Sequence, residues 1–442
     1  MLSGPPIVGH ALQFFRDRHA LIRRGMAERG NVFGIRLFNQ PAAVLVGADH
    51  QETFFTETDK KLSMHKTYRF LNAIFGDIAF AAPPEVYNEQ RPVLHSPFKA
   101  SKMAFYLRVM QEEVQAFLDA LPDEGELELT GELNTVIQNV AAHALMGKRF
   151  RDSVGREFWD LYEVLARSLD PLLPPNLPLP KFIRRDRAKE KLRAMLRPII
   201  EERRQNPGQY DDFLEEFLQA RTKEGKLLPD ETIIGMLLAL MFAGHETTTG
   251  QATWALIQLL QHPEQLARVR AEIDAQLPRG AVFDAPQLMK LPTVIRAVAE
   301  TSRMRPSADV LLRRVEQELE VGDYVIPPGW VLFVSSVEAH HLGEQFKEPA
   351  KYDPDRFGPD RAEDKAHRFG LIGFGGGVHK CVGMNFANNE MAVITALMLQ
   401  QLELRLVTKS PHIVYGVGAA RPSRTLVHYL KRKAVTARTP SA

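Results

Sequence analysis

The feature that most constrains the fold is a stretch of 32 residues, 230–261, that the sequence predicts as one helix. Pro229 precedes it, Asp230 can cap it, and His262-Pro263 stops it. A helix of that length spans about 48 Å at 1.5 Å per residue and must cross the whole molecule. Its centre, residues 241–250, holds two glycines, three consecutive threonines and an acid. We therefore predict a helix that is disrupted at Gly244 and carries functional polar groups.

The rest of the chain mixes shorter helices with a little sheet. Helical periodicity marks residues 109–121, 133–145, 158–169, 187–204 and 213–221, and two hairpins are indicated at 32–47 and 319–334. No internal repeat and no long linker divides the sequence. We predict a mainly α fold with a smaller β-rich portion (α+β), in one domain over residues 1–442. The proline-rich segment 170–180 is expected to be a loop or lid.

Composition excludes several classes of protein. Hydrophobic residues make up 45% and charged residues 25%, which are globular proportions, and the net charge of +2 gives no global field for nucleic acid or membrane. There is no apolar run of about 18 residues, so no transmembrane anchor is expected. No signal peptide is visible, and the single cysteine fits a reducing compartment, so we expect a cytoplasmic protein.

That cysteine, Cys381, follows a loop with four glycines in residues 374–383 and precedes a helix predicted over 384–402. Its place before a helix N-terminus favours the thiolate, which is a nucleophile or a metal ligand. A buried structural cysteine is the alternative. One thiolate cannot hold a zinc or iron–sulfur site with several cysteines, and no partners for thiol hydrolysis are recognisable. A thiolate on a haem iron needs only one cysteine and a backbone able to lie under a flat macrocycle.

The loop, read as Phe374-x-x-Gly377-x-x-x-Cys381-x-Gly383, resembles the haem-binding signature of the cytochrome P-450 superfamily. Three further motifs of that family follow the same order: Ala243-Gly244-x-Glu246-Thr247-Thr248, Glu300-x-x-Arg303 and Tyr352-Asp353-Pro354-Asp355-Arg356-Phe357. The resemblance covers essentially the whole chain. It implies the P-450 fold with one long central helix and haem b, whose iron Cys381 would bind as axial ligand.

The resemblance also assigns roles to the other motif residues. Glu246 and Thr247 would be catalytic, the first relaying protons and the second bonding to bound dioxygen or water. Glu300, Arg303 and Arg356 would form a structural ion-pair network.

Within the family, the sequence is most similar to bacterial sterol 14α-demethylases. His379 stands where most members have arginine, Ala-Gly-His opens the central motif, and residues 68–83 resemble the segment that roofs the substrate. This resemblance implies that the following residues bind the haem: Tyr68, Arg91, His95, Arg313, Phe374 and His379. It implies that the following line the substrate pocket: Phe70, Phe75, Phe80, Ala243, Asp309, Val310 and Leu311.

Three positions depart from the sterol demethylase pattern. Glu246 replaces a histidine, Ala81 replaces an aspartate, and Asp309 puts a carboxylate beside a pocket meant for an apolar substrate. Either Asp309 pairs with a nearby cation or it recognises a polar group of the substrate.

The function implied is a haem-dependent monooxygenase that uses O2 on an apolar, lipid-like substrate, a sterol or triterpenoid. The chain has neither a flavin fingerprint nor cluster cysteines, so electrons would come from a separate ferredoxin or flavodoxin with its NAD(P)H reductase. The alternatives are a non-sterol terpenoid or fatty acid as substrate, a peroxide-driven peroxygenase, and a haem protein without oxygenase activity.

Overall fold

The computed structural model describes residues 1–171, 173–415 and 419–433, with the side chain of Phe80 excepted. The helices of these residues are α1 (Ala11–Arg29), α2 (Ala48–Thr56), α3 (His65–Tyr68), α4 (Asn72–Phe75), α5 (Pro84–His95), α6 (Ala100–Ala120), α7 (Leu129–Ser153), α8 (Arg156–Arg167), α9 (Pro180–Gln205), α10 (Phe213–Gln219), α11 (Asp230–Gln261), α12 (Pro263–Gln276), α13 (Ala285–Met289), α14 (Pro292–Met304), α15 (Ser336–Ala339) and α16 (Met384–Gln401). The mainly α fold with a smaller β-rich portion is thereby confirmed.

The strands form one larger sheet and several small ones. They are β1 (Val32–Leu37), β2 (Gln40–Leu45), β3 (Leu62–Ser63), β4 (Glu124–Glu128), β5 (Val310–Val315), β6 (Leu319–Val321), β7 (Tyr324–Ile326), β8 (Val331–Ser335), β9 (Leu402–Leu406), β10 (Ile413–Val414), β11 (Arg421–Pro422) and β12 (Leu426–Lys431). The main sheet has the order β1-β2-β8-β5-β3, in which only the β2–β8 pair is parallel. A second sheet has the order β4-β12-β9, and β6-β7 and β10-β11 are two-stranded.

Both predicted hairpins are present, the second in part. β1 and β2 pair from Val32↔Leu45 to Leu37↔Gln40. Of the second, β6 and β7 form the hairpin, while β8 leaves it to pair with β5 in the main sheet.

The long helix α11 begins and ends where the sequence predicts, but it is not disrupted at Gly244. All 32 residues are helical, and α11 packs against α7, α14 and α16. This packing on three sides overrides the weak local helix propensity of residues 241–250. Two threonine hydroxyls also bond back within the helix: Thr247 Oγ1 donates to Ala243 O at 2.7 Å and Thr253 Oγ1 to Thr249 O at 2.7 Å.

The apolar core follows the same division into helices and sheet. One cluster joins residues of the helical part, with Trp254 of α11 among its largest fully buried side chains, and two smaller clusters form around the main sheet. No helix in the described part of the chain is long and apolar enough to cross a membrane.

Candidate active site

A cavity of about 360 Å³ lies between the middle of α11 and the glycine-rich loop that precedes α16. One face of α11 lines it with Met236, Leu240, Ala243 and Thr247, which recur at helical spacing. Cys381 lines it from the loop. The cavity therefore brings together the two anomalous segments of the sequence.

The glycines of the loop are required by contacts and by backbone angles. Gly375 and Gly377 have φ of 69° and 64°, in the left-handed region that glycine tolerates. A Cβ on Gly377 would lie 2.7 Å from Phe55 O, and one on Gly376 would lie 3.0 Å from the Phe55 ring. The loop thus presses on α2, and the Cys381 N–H donates to Phe374 O at 2.9 Å. The glycine content predicted that the backbone of this loop approaches another group closely, and in the structure that group is Phe55.

The Cys381 side chain is exposed to the cavity while it is surrounded by protein. Burial raises its pKa above the ordinary thiol value, although a backbone hydrogen bond at Gly383 and the charge of Lys380 act in the opposite direction. The helix N-terminus alone therefore does not stabilise the thiolate that the sequence predicted. A positive metal ion bound beside the sulfur would stabilise it.

Cationic and hydroxyl side chains lie at one edge of the cavity. Arg313 is buried, donates from Nε to Thr58 Oγ1 at 3.2 Å, and burial lowers its pKa. The His379 ring pairs through Nε2 with Asp59 at 2.6 Å, and its Nδ1 is buried without a partner among the described residues. Tyr68 also lines this region. Such donors suit the carboxylates of a bound group.

The structure places two of the predicted haem-binding residues elsewhere. Arg91 and His95 share one face of α5 as their spacing predicts, and the charge of Arg91, after burial, contributes to the lowered pKa of His95. Both are exposed and neither lines the cavity. From α5 the cavity receives Tyr87, whose ring lies 4.2 Å from that of His379 and whose hydroxyl donates to Val378 O at 2.9 Å.

The predicted pocket residues divide into a lining set and a second layer. Ala243 and Leu311 line the cavity. Phe70 and Val310 are half-buried outside it, and Phe75 packs against Phe242 at 5.4 Å between ring centroids. The prediction for the Phe80 side chain falls outside the described residues.

Asp309 has structural partners in α1. It accepts a hydrogen bond from Arg18 Nε, and its Oδ2 lies 2.9 Å from His19 Nε2, while His19 Nδ1 lies 2.8 Å from Glu338. Burial by itself raises the pKa of Asp309, but the bonds to His19 and Arg18 outweigh it and lower that pKa. Asp309 does not line the cavity. Asp309 was expected either to pair with a cation or to recognise the substrate, and these contacts favour the pairing with a cation.

The predicted catalytic pair sits on the middle turn of α11. Thr247 lines the cavity, and its backbone carbonyl accepts a bond from Ser307 Oγ at 3.1 Å. Glu246 is half-buried and does not line the cavity. It lies close enough to Tyr162 of α8 to contribute, after burial, to the raised pKa of that phenol.

The ion-pair network is assembled as the resemblance implied. Glu300 Oε2 lies 2.7 Å from Arg303 Nε, Glu300 Oε1 lies 3.1 Å from Arg356 Nε, and all three side chains are fully buried. His340 extends it: Arg303 Nη1 donates to His340 O at 2.6 Å, and His340 Nε2 accepts from Ile372 N at 2.9 Å. This histidine, which sequence reasoning missed, ties the network to the loop that carries Cys381.

Other cavity residues were also missed. They are apolar side chains from α7, α10, α11 and α16, together with polar groups beside them, among which are Ile137, Leu145, Phe213, Met236, Leu240, His245, Gln251, Ser302, Phe386 and Glu390. The helical spacing of Met236 and Leu240 relative to Ala243 and Thr247 was the available signal for two of them. For the rest, only the tertiary packing brings them to the cavity.

These residues fit a haem. The site offers one thiol sulfur on a glycine-rich loop, a helix with a threonine facing it, and Arg313 and His379, with its unpartnered Nδ1, at the edge. The described residues contain no group of three or more His, Cys, Asp or Glu that could hold a bare metal ion. An iron carried by its own macrocycle needs only the one sulfur. Fold and site thus define a haem-thiolate protein.

Comparison with known proteins gives the family. The model of the cytochrome P-450 family matches residues 2–426, so the chain belongs to that family. It is 30% identical over 437 residues to a sterol 14α-demethylase of Mycolicibacterium vanbaalenii, covering 96% of both chains. It is 30% identical to the sterol 14-demethylase of Arabidopsis thaliana, covering 97% of this chain and 90% of that one. Among solved structures, the retinoic acid-bound cyanobacterial CYP120A1 superimposes with a TM-score of 0.87 at 26% identity, over 97% of this chain and 98% of the other.

The enzyme is accordingly a cytochrome P-450 monooxygenase that binds haem b through a cysteine thiolate. As a member of this family it uses O2, an apolar substrate and electrons from a redox partner.

Proposed function

We propose that this monooxygenase hydroxylates a sterol or triterpenoid, in the manner of a sterol 14α-demethylase. The observation that carries the proposal is the cavity itself, in which apolar side chains of four helices surround the space between Thr247 and Cys381. The lining on the Thr247 side is predominantly apolar, which suits a lipid-like substrate. The 30% identity to sterol demethylases over nearly the whole chain supports the same substrate class.

The residues of the chain divide the work as follows. Cys381 would hold the haem iron, and Tyr68, Arg313 and His379 would hold its carboxylates. When bound, the haem activates O2 for insertion into a C–H bond. Ala243 and Leu311 hold an apolar substrate against it and exclude water.

Protons enter the site through side chains of α11. The Thr247 hydroxyl donates its hydrogen bond to Ala243 O, so its oxygen can still accept a hydrogen bond from water in the cavity. Glu246, the half-buried residue just before Thr247, can bring protons from solvent to that position. Repetition of the cycle on one methyl group, with its loss as formate, is the sterol demethylase outcome that this substrate would imply.

Electrons are proposed to come from a ferredoxin or flavodoxin with its NAD(P)H reductase. The chain has one cysteine, too few for an iron–sulfur cluster of its own. Lys380, exposed beside Cys381, supports contact with an acidic carrier. The cytoplasmic location stays a prediction from the sequence.

The first test concerns Cys381. After reduction and addition of carbon monoxide, the wild-type protein should show the Soret band of a thiolate-bound haem, and Cys381→Ser should lose it because a neutral hydroxyl is a poor substitute for the thiolate. Thr395→Val, a buried substitution on α16 away from the cavity, is the control and should keep the band. A wild-type protein that takes up haem but shows no such band would overturn the haem-thiolate assignment.

The second test concerns the substrate. We expect sterols with a 14α-methyl group to shift the haem from low to high spin, because an apolar ligand that fills the cavity displaces water. The likeness to a structure that holds retinoic acid favours a smaller isoprenoid as the second candidate. A panel of sterols, triterpenes, retinoids and fatty acids should be titrated by difference spectroscopy. A shift with retinoids and none with any sterol would reject the sterol proposal and favour the second.

A further inference from the structure

A short irregular segment, residues 306–309 between α14 and β5, forms part of the cavity wall. Pro306, Ser307 and Ala308 line the cavity, whereas Asp309 does not. The segment belongs to neither a helix nor a strand, so no regular ladder of backbone hydrogen bonds fixes it. Its position must therefore come from contacts with other parts of the chain.

Three backbone carbonyls of this wall segment accept hydrogen bonds from other segments. Ser336 donates from its backbone N to Asp309 O at 3.0 Å and from its hydroxyl to Ala308 O. Ala420 N donates to Ser307 O at 2.9 Å. The backbone amides of Ser336 and Ala420 therefore report whether the wall segment stays in place.

The side chain of Asp309 provides a fourth anchor, which comes from α1. Arg18 Nε donates to Asp309 Oδ2, and His19 Nε2 lies 2.9 Å from the same oxygen. Adjacent side chains leave a regular helix about 100° apart. The backbone of α1 is not helical at Asp17 (φ −157°, ψ 86°), directly before the pair, and Ala20 N donates to Asp17 Oδ1 at 2.9 Å, which starts the helix again. This turn allows both side chains to converge on one carboxylate.

Arg18 also contacts the strand pair β10-β11. Its guanidinium carbon lies 4.6 Å from the centroid of the Tyr415 ring, which is a cation–π contact. Tyr415 directly follows β10, and Ala420, which binds Ser307 O, directly precedes the paired strand β11. One side chain of α1 therefore joins the wall segment to the strand pair that also holds it.

We propose that Arg18 is a positioning residue of this enzyme, which fixes the cavity wall at residues 306–309 and thereby influences which apolar molecules bind. None of the described residues that line the cavity belongs to α1, so Arg18 acts through Asp309 and not by touching the ligand. A wall that is held in advance costs a ligand less ordering on binding than a loose one. The inference goes beyond the proposed substrate class, because it concerns any ligand large enough to press on this wall.

The first test compares two probes of the haem-loaded enzyme, imidazole and the much larger, apolar clotrimazole, which both bind haem iron through an imidazole nitrogen. Imidazole is too small to press on the wall, so the ratio of the two dissociation constants, measured by difference spectroscopy, isolates the contribution of the wall. In Arg18→Met the preference for clotrimazole should fall about two- to thirtyfold, as for substitutions that act on a site by coupling. Arg18→Lys should restore part of it, because a charge remains opposite Asp309. A preference that is unchanged in Arg18→Met, or equally low in Arg18→Lys, would overturn the proposal.

Arg151→Met is the matched control for this comparison. Arg151 pairs with the buried Glu113 at 2.6 Å, and Glu113 also lies 3.0 Å from His143, so an arginine and a histidine share one carboxylate as they do at Asp309. These three residues, all in the described part of the chain, do not line the cavity. Arg151→Met should keep the preference for clotrimazole. An equal fall in both variants would indicate a general loss of stability, and the proposal would be wrong.

The second test needs no added ligand and no haem spectrum. Backbone hydrogen exchange of the Ser336 and Ala420 amides should be faster in Arg18→Met on the order of tenfold, the loss of one charged hydrogen bond, and unchanged in Arg151→Met. If both amides exchange in Arg18→Met as in the wild type, the wall does not depend on Arg18 and the proposal is wrong. A wild-type protein that gives no spectral shift with imidazole would count against the haem-thiolate function instead, and the exchange rates would still decide on Arg18.

Discussion

At the scale of single residues, Asp309 shows what sequence can and cannot predict. The sequence identifies a carboxylate where an apolar side chain is expected, because the motifs around it fix its place beside the cavity. It does not identify the partners, since Arg18 lies 291 residues away and only tertiary packing, in which α1 contacts α15, brings them together. Replacing Asp309 by isoleucine would therefore leave the partly buried Arg18 without its carboxylate and His19 with Glu338 alone, at a cost of up to about 3–5 kcal/mol, and is a poor probe of the pocket.

The same cluster predicts how stability depends on pH. Burial alone lowers the pKa of His19, but its hydrogen bonds with Asp309 and Glu338 outweigh it and raise the pKa to about 9. Arg18, Arg23 and Tyr415 are the other ionisable groups that face these residues. Because the folded pKa lies above the unfolded value, protonated His19 stabilises the fold fully below about pH 6.5, and this contribution is lost as the pH rises through 9.

We expect the free energy of unfolding to fall by up to about 3 kcal/mol between pH 6.5 and 9. Asp309→Asn should flatten this decline, because it removes one of the two carboxylates that hold the proton. Asp160→Asn, in the exposed pair Arg156–Asp160, is the matched control and should leave the decline unchanged. Thermal unfolding of the three proteins across this pH range checks the prediction. If the stability of Asp309→Asn falls with pH as steeply as that of the wild type, the prediction is contradicted.

At the scale of elements, local signals predicted the bounds of α11 well, but they placed the start of α6 nine residues late, and they predicted orientation poorly. The ends of α11 agree with the prediction because Pro229 and His262 act on the adjoining turns, although Asp230, predicted as the cap, lies inside the helix and pairs with Arg204 instead. The break predicted at Gly244 was wrong because tertiary packing of α11 against α7, α14 and α16 overrides its poor local helix propensity. The spacing of Arg91 and His95 correctly placed both on one face of α5, yet spacing carries no information on whether that face meets the cavity or solvent. The roles carried over by resemblance were therefore most useful where the motif itself forms the cavity, as at Cys381 and Thr247.

At the scale of the whole molecule, α4 and the proline-rich segment, which the sequence assigned to the substrate roof and to a lid, are both held by α9. Lys189 of α9 donates from Nζ to Ala73 O of α4 at 2.7 Å. The described residues of the proline-rich segment, predicted as a lid, form the loop between α8 and α9, and Arg185 of α9 donates to Pro175 O at 2.9 Å. These bonds join α9 to α4 and to the loop between α8 and α9, and these three segments are called the lid region below. A movement of α9 would carry α4 and this loop with it.

We therefore expect the lid region to open and close as a unit when substrate enters. Backbone hydrogen exchange in α4 and in the loop between α8 and α9 should slow when a tight cavity ligand is added. Lys189→Met, which keeps the length of the side chain but removes its donor, should lessen that protection on the order of tenfold, the loss of one charged hydrogen bond. Lys191→Met is the matched control, because Lys191 is exposed and only approaches Glu157 at 3.8 Å, and it should exchange like the wild type. Equal exchange in the loop with and without ligand would show that the roof does not move. Protection of the loop without α4 would show that the two move independently, and Lys189 would then not be the link between them.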